Sequence, residues 1–195
     1  QAFHGRTEWL SAKPDPLGLL TVLEDGALRL EPLEERHREA LRSACAEDDA
    51  IWEMYGISYD RAHFDESFTK LLANPARLPF AVIVGDETAG LTSWIGTNPD
   101  WLTSEIGNSY LRPGHRGGHV NTPMKRLMLA HGFGCGLKRI FFSIDTRNER
   151  SQAAARKIGA SFEGILRNHM ITWNGYLRDS AIYSVVERDR ERLGL

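Results

Sequence analysis

Cysteine is scarce in this chain: two in 195 residues, Cys45 and Cys135, with no metal-ligand spacing between them. That excludes a disulfide framework and a zinc site built on paired cysteines, and no metal is expected. Reduced thiols are the expectation, with a cytoplasmic location as the default. No apolar run approaches the ~20 residues that a membrane span requires. Residues 1–20 lack a signal-peptide pattern, since charges and two prolines interrupt them, and the missing initial Met reads as a trimmed chain. Neither sign of charge is in excess. Lys and Arg number 24 against 26 Asp and Glu, a net charge of -2, which argues against nucleic acid as the main partner. Internal repeats and low-complexity stretches are absent.

The length and a hydrophobic fraction of 42% suit one ordinary globular domain. Residues 1–26 read as an irregular leader, an arm or added strand against a neighbour, and 27–195 as the domain. Leu28 and Leu30 alternate with Arg29 and Glu31, which signals a strand over 27–33. Helical propensity follows over 34–46, then a turn at Glu47-Asp48-Asp49, an aromatic segment over 52–59, and a second helix over 63–74. A hairpin is expected from 78–84 and 90–96 across Gly85-Asp86, and the next strand over 103–111. Asn174-Gly175 marks a late hairpin between 170–173 and 177–186.

Between these lies Arg116-Gly117-Gly118-His119-Val120-Asn121, a glycine turn that opens into a helix. Thr122 is the expected N-cap and Pro123 the first helical residue, with Met124, Leu127, Met128 and His131 as the apolar stripe. A helix N-terminus offers free N–H groups and a partial positive charge, so the turn is a natural seat for a phosphate or pyrophosphate. Arg112, Arg116, Lys125 and Arg126 gather nearby, as cofactor contacts or surface charge. A strand over 138–145 follows, and Asn148-Glu149-Arg150-Ser151 opens a helix that ends at Gly159.

Strand, anion turn, helix, strand, then Asn-x-x-Ser on a helix: this order resembles the GNAT superfamily of acetyl-CoA-dependent N-acyltransferases. Within it, the chain is similar to the branch of ribosomal-protein N-terminal acetyltransferases. The family turn reads Arg/Gln-x-x-Gly-x-Gly/Ala; Arg116 matches, while His119 and Asn121 replace the two glycines. Glu105-Ile106-Gly107, Pro113, Lys157-Ile158-Gly159, the run Phe162 to Arg167 and the strand Asp179 to Val186 match better, over about residues 28–186. The implied fold is α/β, a central mixed, mostly antiparallel twisted sheet flanked by helices. The implied activity is transfer of an acetyl group from acetyl-CoA to a primary amine, by direct attack in a ternary complex. A protein N-terminus or a small amine would be the acceptor, and a homodimer is an option.

By the same resemblance, Arg116, Gly117, Gly118, His119, Val120 and Asn121 would bind the pyrophosphate, with His119 either crowding it or facing solvent. Backbone N–H groups at Tyr110, Leu111 and Arg112 would hold the thioester oxygen. Asn148 would bond pantetheine or merely start its helix, and Ser151 would face the sulfur or cap that helix. Arg156 would reach the nucleotide or stay solvated. Two groups compete for the general base: Glu105, on the strand leading into the turn, and His169, whose imidazole titrates near neutrality. The branch's glutamate falls on Met170 and the usual tyrosine acid on Ala155. Those losses keep a non-catalytic acyl-CoA-binding protein as the rival reading. A dinucleotide oxidoreductase is disfavoured by the absence of Gly-x-Gly-x-x-Gly. Trp52, Tyr55, Trp173 and Tyr176 are the aromatic candidates for an acceptor groove, or for core and dimer packing.

Overall fold

The computed structural model of the protein describes residues 15–195, so the first half of the expected leader lies outside the described residues. Eight strands form one open sheet: β1 (Leu23–Asp25), β2 (Leu28–Pro32), β3 (Arg77–Val84), β4 (Glu87–Asn98), β5 (Thr103–Leu111), β6 (Arg139–Asp145), β7 (Ser161–Ile171) and β8 (Leu177–Val186). Their order is β1-β2-β3-β4-β5-β6-β8-β7, and only β5 and β6 run parallel. The mixed, mainly antiparallel α/β sheet expected from the sequence is the one observed. One boundary differs. Leu23–Asp25, assigned to the leader, pairs antiparallel with Leu28–Leu30, because Gly26 adopts φ 59° and closes a tight hairpin.

Helices cover both faces. On one side α1 (Arg38–Cys45) and α2 (Phe64–Ala73) bury Leu41, Phe64 and Phe68 against Ala81, Ile83, Leu91 and Tyr110. The expected helix over 34–46 begins as a 3-10 turn at Glu35–His37. There the Glu34 N–H donates to His37 Nδ1 at 3.0 Å, and Nε2 meets Glu31 Oε2 at 3.1 Å, which satisfies the helix start. On the other side α3 (Asn121–Gly134) and α4 (Glu149–Lys157) cover Leu30, Phe80, Trp94, Ile106 and Ile140. A short α5 (Arg190–Leu193) ends the chain.

Helix α3 begins earlier than its sequence suggests. Val120 is the N-cap, Asn121 is already helical, and Thr122 makes no capping bond. The buried stripe is Met124, Lys125, Met128, Leu129, Gly132 and Phe133, rotated from the expected Met124, Leu127, Met128, His131. The rotation carries Lys125 inside. Among the described residues no helix is long and apolar enough to cross a membrane.

Candidate active site

Two features of β5 open the sheet. Against β4 the register shifts between Leu91↔Tyr110 and Ser93↔Gly107, so β5 holds one extra residue there. Asn108 takes φ 51°, a left-handed conformation that Asn tolerates, and its Nδ2 donates to Tyr59 Oη at 3.0 Å. A bulge bends its strand. On the other edge β5 pairs with β6 only from Thr103↔Arg139 to Glu105↔Phe141. Beyond that point the strands part, and the gap is the candidate site.

The gap holds a trough made of two adjoining cavities, of about 410 and 270 Å³, which share Tyr55, Ser109, Asn121, Ser151 and Ala154. The smaller end is built for an anion. Gly117 and Gly118 have φ 90° and 101°, so their turn needs glycine, and a Cβ on Gly118 would come within 2.9 Å of Lys157 Nζ. Arg116 donates through Nε to the Leu111 carbonyl at 2.7 Å and through Nη1 to Asp48 at 2.5 Å. Its Nη2 is buried and has no partner among the described residues. Arg150 and Lys157, on one face of α4 with Ala153 and Ala154, line the same end. Three cations, positive-φ glycines and an unpaired buried donor fit a diphosphate.

At the other end stand Glu105, Lys125, Ser143, Asp145 and Arg178. Burial pushes the Glu105 carboxyl above the usual carboxylate range, while the Ser143 N–H, donating at 3.3 Å, and the cations Arg77 and Arg178 pull the other way. Arg178 is buried and tied through Nε to Ser180 Oγ at 3.0 Å and through Nη2 to the Ser143 carbonyl at 2.7 Å. Met54, Gly56, Ile57, Met170 and Ile171 form an apolar wall beside them. Met170, unable to titrate, is wall. Among the described residues no group of three His, Cys, Asp or Glu could hold a metal.

The structure gathers Glu105, Leu111, Arg116, Gly117, Gly118, Asn121, Asn148 and Ser151 along this trough. Asn148 is also the N-cap of α4, its Oδ1 accepting from the Ser151 N–H at 3.0 Å. The other expected site residues turn their side chains elsewhere, which leaves the backbone N–H roles expected of the 116–121 turn and of Tyr110 to Arg112 untouched. His119 is solvent-exposed, because it follows the turn on the outer side of the helix start. Val120 sends its side chain into the core. Tyr110 stacks on Trp52 with centroids 4.7 Å apart and donates to the Ala44 carbonyl, beneath α1. Arg112 is held in ion pairs by Glu47 and Glu87. Arg156 donates to Tyr183 Oη at 2.8 Å; it lies off the helix face that carries Arg150 and Lys157. His169 bonds Ser180 through Nδ1 at 3.0 Å, outside the trough lining, because the β7 register shifts between Leu166 and Met170. Of the four aromatic candidates only Tyr55 lines the trough, its hydroxyl donating to the Ser109 carbonyl at 2.6 Å. Trp52 is core, Trp173 Nε1 donates to the Trp52 carbonyl at 2.9 Å, and Tyr176 lies under Arg147.

Arg150 and Lys157 carry no motif, and their one signal in the sequence is the 150, 153, 154, 157 spacing that marks one helix face. Lys125 and Arg126, expected together as cofactor contacts or surface charge, part ways: Lys125 is buried. Arg126 instead donates to the carbonyls of Leu193 and Gly194.

Known proteins share this architecture. An uncharacterized N-acetyltransferase of Bacillus subtilis, YoaA, is 26% identical over 177 residues, 87% of this chain and 98% of that protein. The crystal structure of a GCN5-related N-acetyltransferase from Brucella melitensis is 28% identical, with a TM-score of 0.83 over 93% of this chain and 83% of that one. RimL, a ribosomal L7/L12 alpha-N-protein acetyltransferase solved in complex with coenzyme A, shares the fold at 18% identity. Its TM-score is 0.73 over 85% of this chain and 98% of its own. This agrees with the likeness to the ribosomal-protein branch. Residues 27–161 match the acetyltransferase (GNAT) domain family, and the chain belongs to that family.

Proposed function

We propose that this protein transfers an acetyl group from acetyl-CoA to a primary amine by direct attack in a ternary complex. The carrying observation is the continuous trough that runs from the Gly117-Gly118 turn, through the gap between β5 and β6, to Glu105. The coenzyme A bound by RimL supports the same ligand here. The turn N–H groups with Arg116, Arg150 and Lys157 would hold the diphosphate. Acetyl-CoA supplies an acyl group activated as a thioester. Glu105 takes a proton from the acceptor ammonium, directly or through water, since a carboxyl raised by burial is closer to the working pH. Ser151 and Asn148 flank the gap where the pantetheine arm would lie, and the walls keep bulk water from the reacting atoms.

The apolar wall at Met54–Ile57 and Met170–Ile171 is where the acceptor would enter, as a protein N-terminus or a small amine. RimL, an alpha-N-protein acetyltransferase of ribosomal L7/L12, supports the former class. A second copy would cover β7, an edge strand on which Phe162, Ile165, Leu166 and Ile171 are exposed, giving a homodimer. The reduced thiols suit the cytoplasm.

A screen of amines and peptides against several acyl-CoAs, read by thiol release, tests the activity. Calorimetry with CoA tests the ligand. Tight CoA binding with no amine consumed would favour the non-catalytic acyl-CoA-binding protein, and no CoA binding would remove both readings. His119→Gly should leave CoA affinity nearly unchanged, because the imidazole faces solvent; a clear loss would mean that it contacts the cofactor.

A further inference from the structure

Lys125 is a cation in the wrong surroundings for one. It stands in the buried stripe of α3, 7% exposed, and its Nζ reaches up into the gap between β5 and β6. Its hydrogen-bond partner is the Ser109 hydroxyl, which also meets Thr92 Oγ1 at 2.8 Å. The Phe142 ring centre lies 5.7 Å away. Among the described residues no carboxylate comes within ion-pair distance of Nζ. Burying an ammonium on a single neutral acceptor is costly, and the amine responds by binding its proton less firmly. Burial pushes it down to about 7, against an opposing pull from Glu105.

The cavity wall beside Lys125 includes Ala155, where the family resemblance would put a tyrosine hydroxyl. The site therefore has an anion seat, a carboxylate for the acceptor and a buried amine in the gap, while its lining phenol, Tyr55, is already committed to the Ser109 carbonyl at 2.6 Å. We propose that Lys125 is the proton donor to the CoA thiolate, in place of the hydroxyl that Ala155 lacks. This rests on the acetyl-transfer reading above.

The step balances. The acceptor ammonium gives one proton to Glu105, and its nitrogen lone pair forms the C–N bond. Lys125 releases a proton to sulfur as the C–S bond breaks and the electron pair goes to sulfur. The second proton shed by the new amide nitrogen restores Lys125, so one proton in all is lost to solvent. An ordinary lysine, at ~10.4, would donate uphill to a thiolate whose thiol ionises near ~8.5. An amine at about 7 donates downhill. The charged or titratable groups lining the same cavity are Glu105 on β5, Asp145 on β6, Arg77 on β3, Arg178 on β8 and Tyr55 before α2. Since the protonated amine is the acid, kcat should fall as pH rises through about 7, the value to which burial pushes Lys125.

The test uses Lys125→Met, which keeps the length and suits the buried stripe, and Lys125→Arg, which keeps charge but yields no proton at working pH. Calorimetry with dethio-CoA, in which hydrogen replaces the thiol, should show the parent and Lys125→Met binding alike, which reports an intact fold and cofactor seat. Turnover with acetyl-CoA should drop by roughly 10²–10⁴-fold in both variants, and the limb near pH 7 should vanish. A limb near pH 7 that persists in Lys125→Met, or parental turnover in either variant, overturns the assignment. Failure of the parent to bind either CoA or dethio-CoA would instead remove the acetyl-CoA reading itself.

Discussion

Glu105→Gln should lower kcat by roughly 10²–10⁴-fold, the range for a positioned acid–base group, with CoA affinity nearly unchanged. The carboxylate lies at the end of the trough away from the Gly117-Gly118 turn, so the diphosphate contacts are not disturbed. Glutamine has the same shape and still accepts from the Ser143 N–H, but it cannot take a proton. Because burial raises the carboxyl, the parent's kcat/KM should climb with pH through a limb above the ordinary ~4.3 of glutamate, as the base loses its proton. In the variant that limb should be missing. Parental turnover in Glu105→Gln beside a nearly dead His169→Ala would move the base to the imidazole. The present geometry speaks against that outcome: His169 is bonded to Ser180, and burial and Arg178 lower its proton affinity.

Gly117→Asp should weaken CoA binding by about 10²-fold or more, roughly 3 kcal/mol, the order expected when like charges are brought together at an interface. Two effects act together. At φ 90° the backbone is in a conformation that a side-chain-bearing residue adopts only under strain, so the turn would shift its N–H groups. A carboxylate there would also take up Arg116 or Lys157, the cations meant for the diphosphate, and repel the ligand. No atom lies within 4 Å of the Cβ position, so the fold itself should survive, and the thermal midpoint separates lost binding from lost structure. Unchanged CoA affinity in a folded variant would move the diphosphate away from this turn.

What was legible beforehand was local chemistry. Asn174-Gly175 and Gly85-Asp86 close hairpins because their residues accept turn conformations at little cost. Asn148 caps α4 because a short amide can reach the Ser151 N–H. The glycine pair 117–118 announced an anion turn for the same kind of reason: positive φ is a property of the residue type. The family likeness rests on such local signals in a fixed order, so it survived the loss of two turn glycines.

Rotation and depth were not legible. Which face α3 turns to the sheet is settled by packing, and that decides whether Lys125 meets solvent or the gap in the sheet. The extra residue of β5 and the short pairing of β5 with β6 depend on partners far apart in sequence, yet they open the trough. Tyr110 was expected to serve the thioester through its backbone N–H, and only packing shows that its ring lies under α1. His169 and Arg156 carry suitable groups on unsuitable faces, whereas Lys157 and Arg150 carry theirs on the helix face that lines the trough. The sequence by itself determined the elements, the turns and the family. Only the tertiary structure decided which cations and carboxylates lose their water, and desolvation is what would suit an ordinary lysine and glutamate to the proposed roles of proton donor and base.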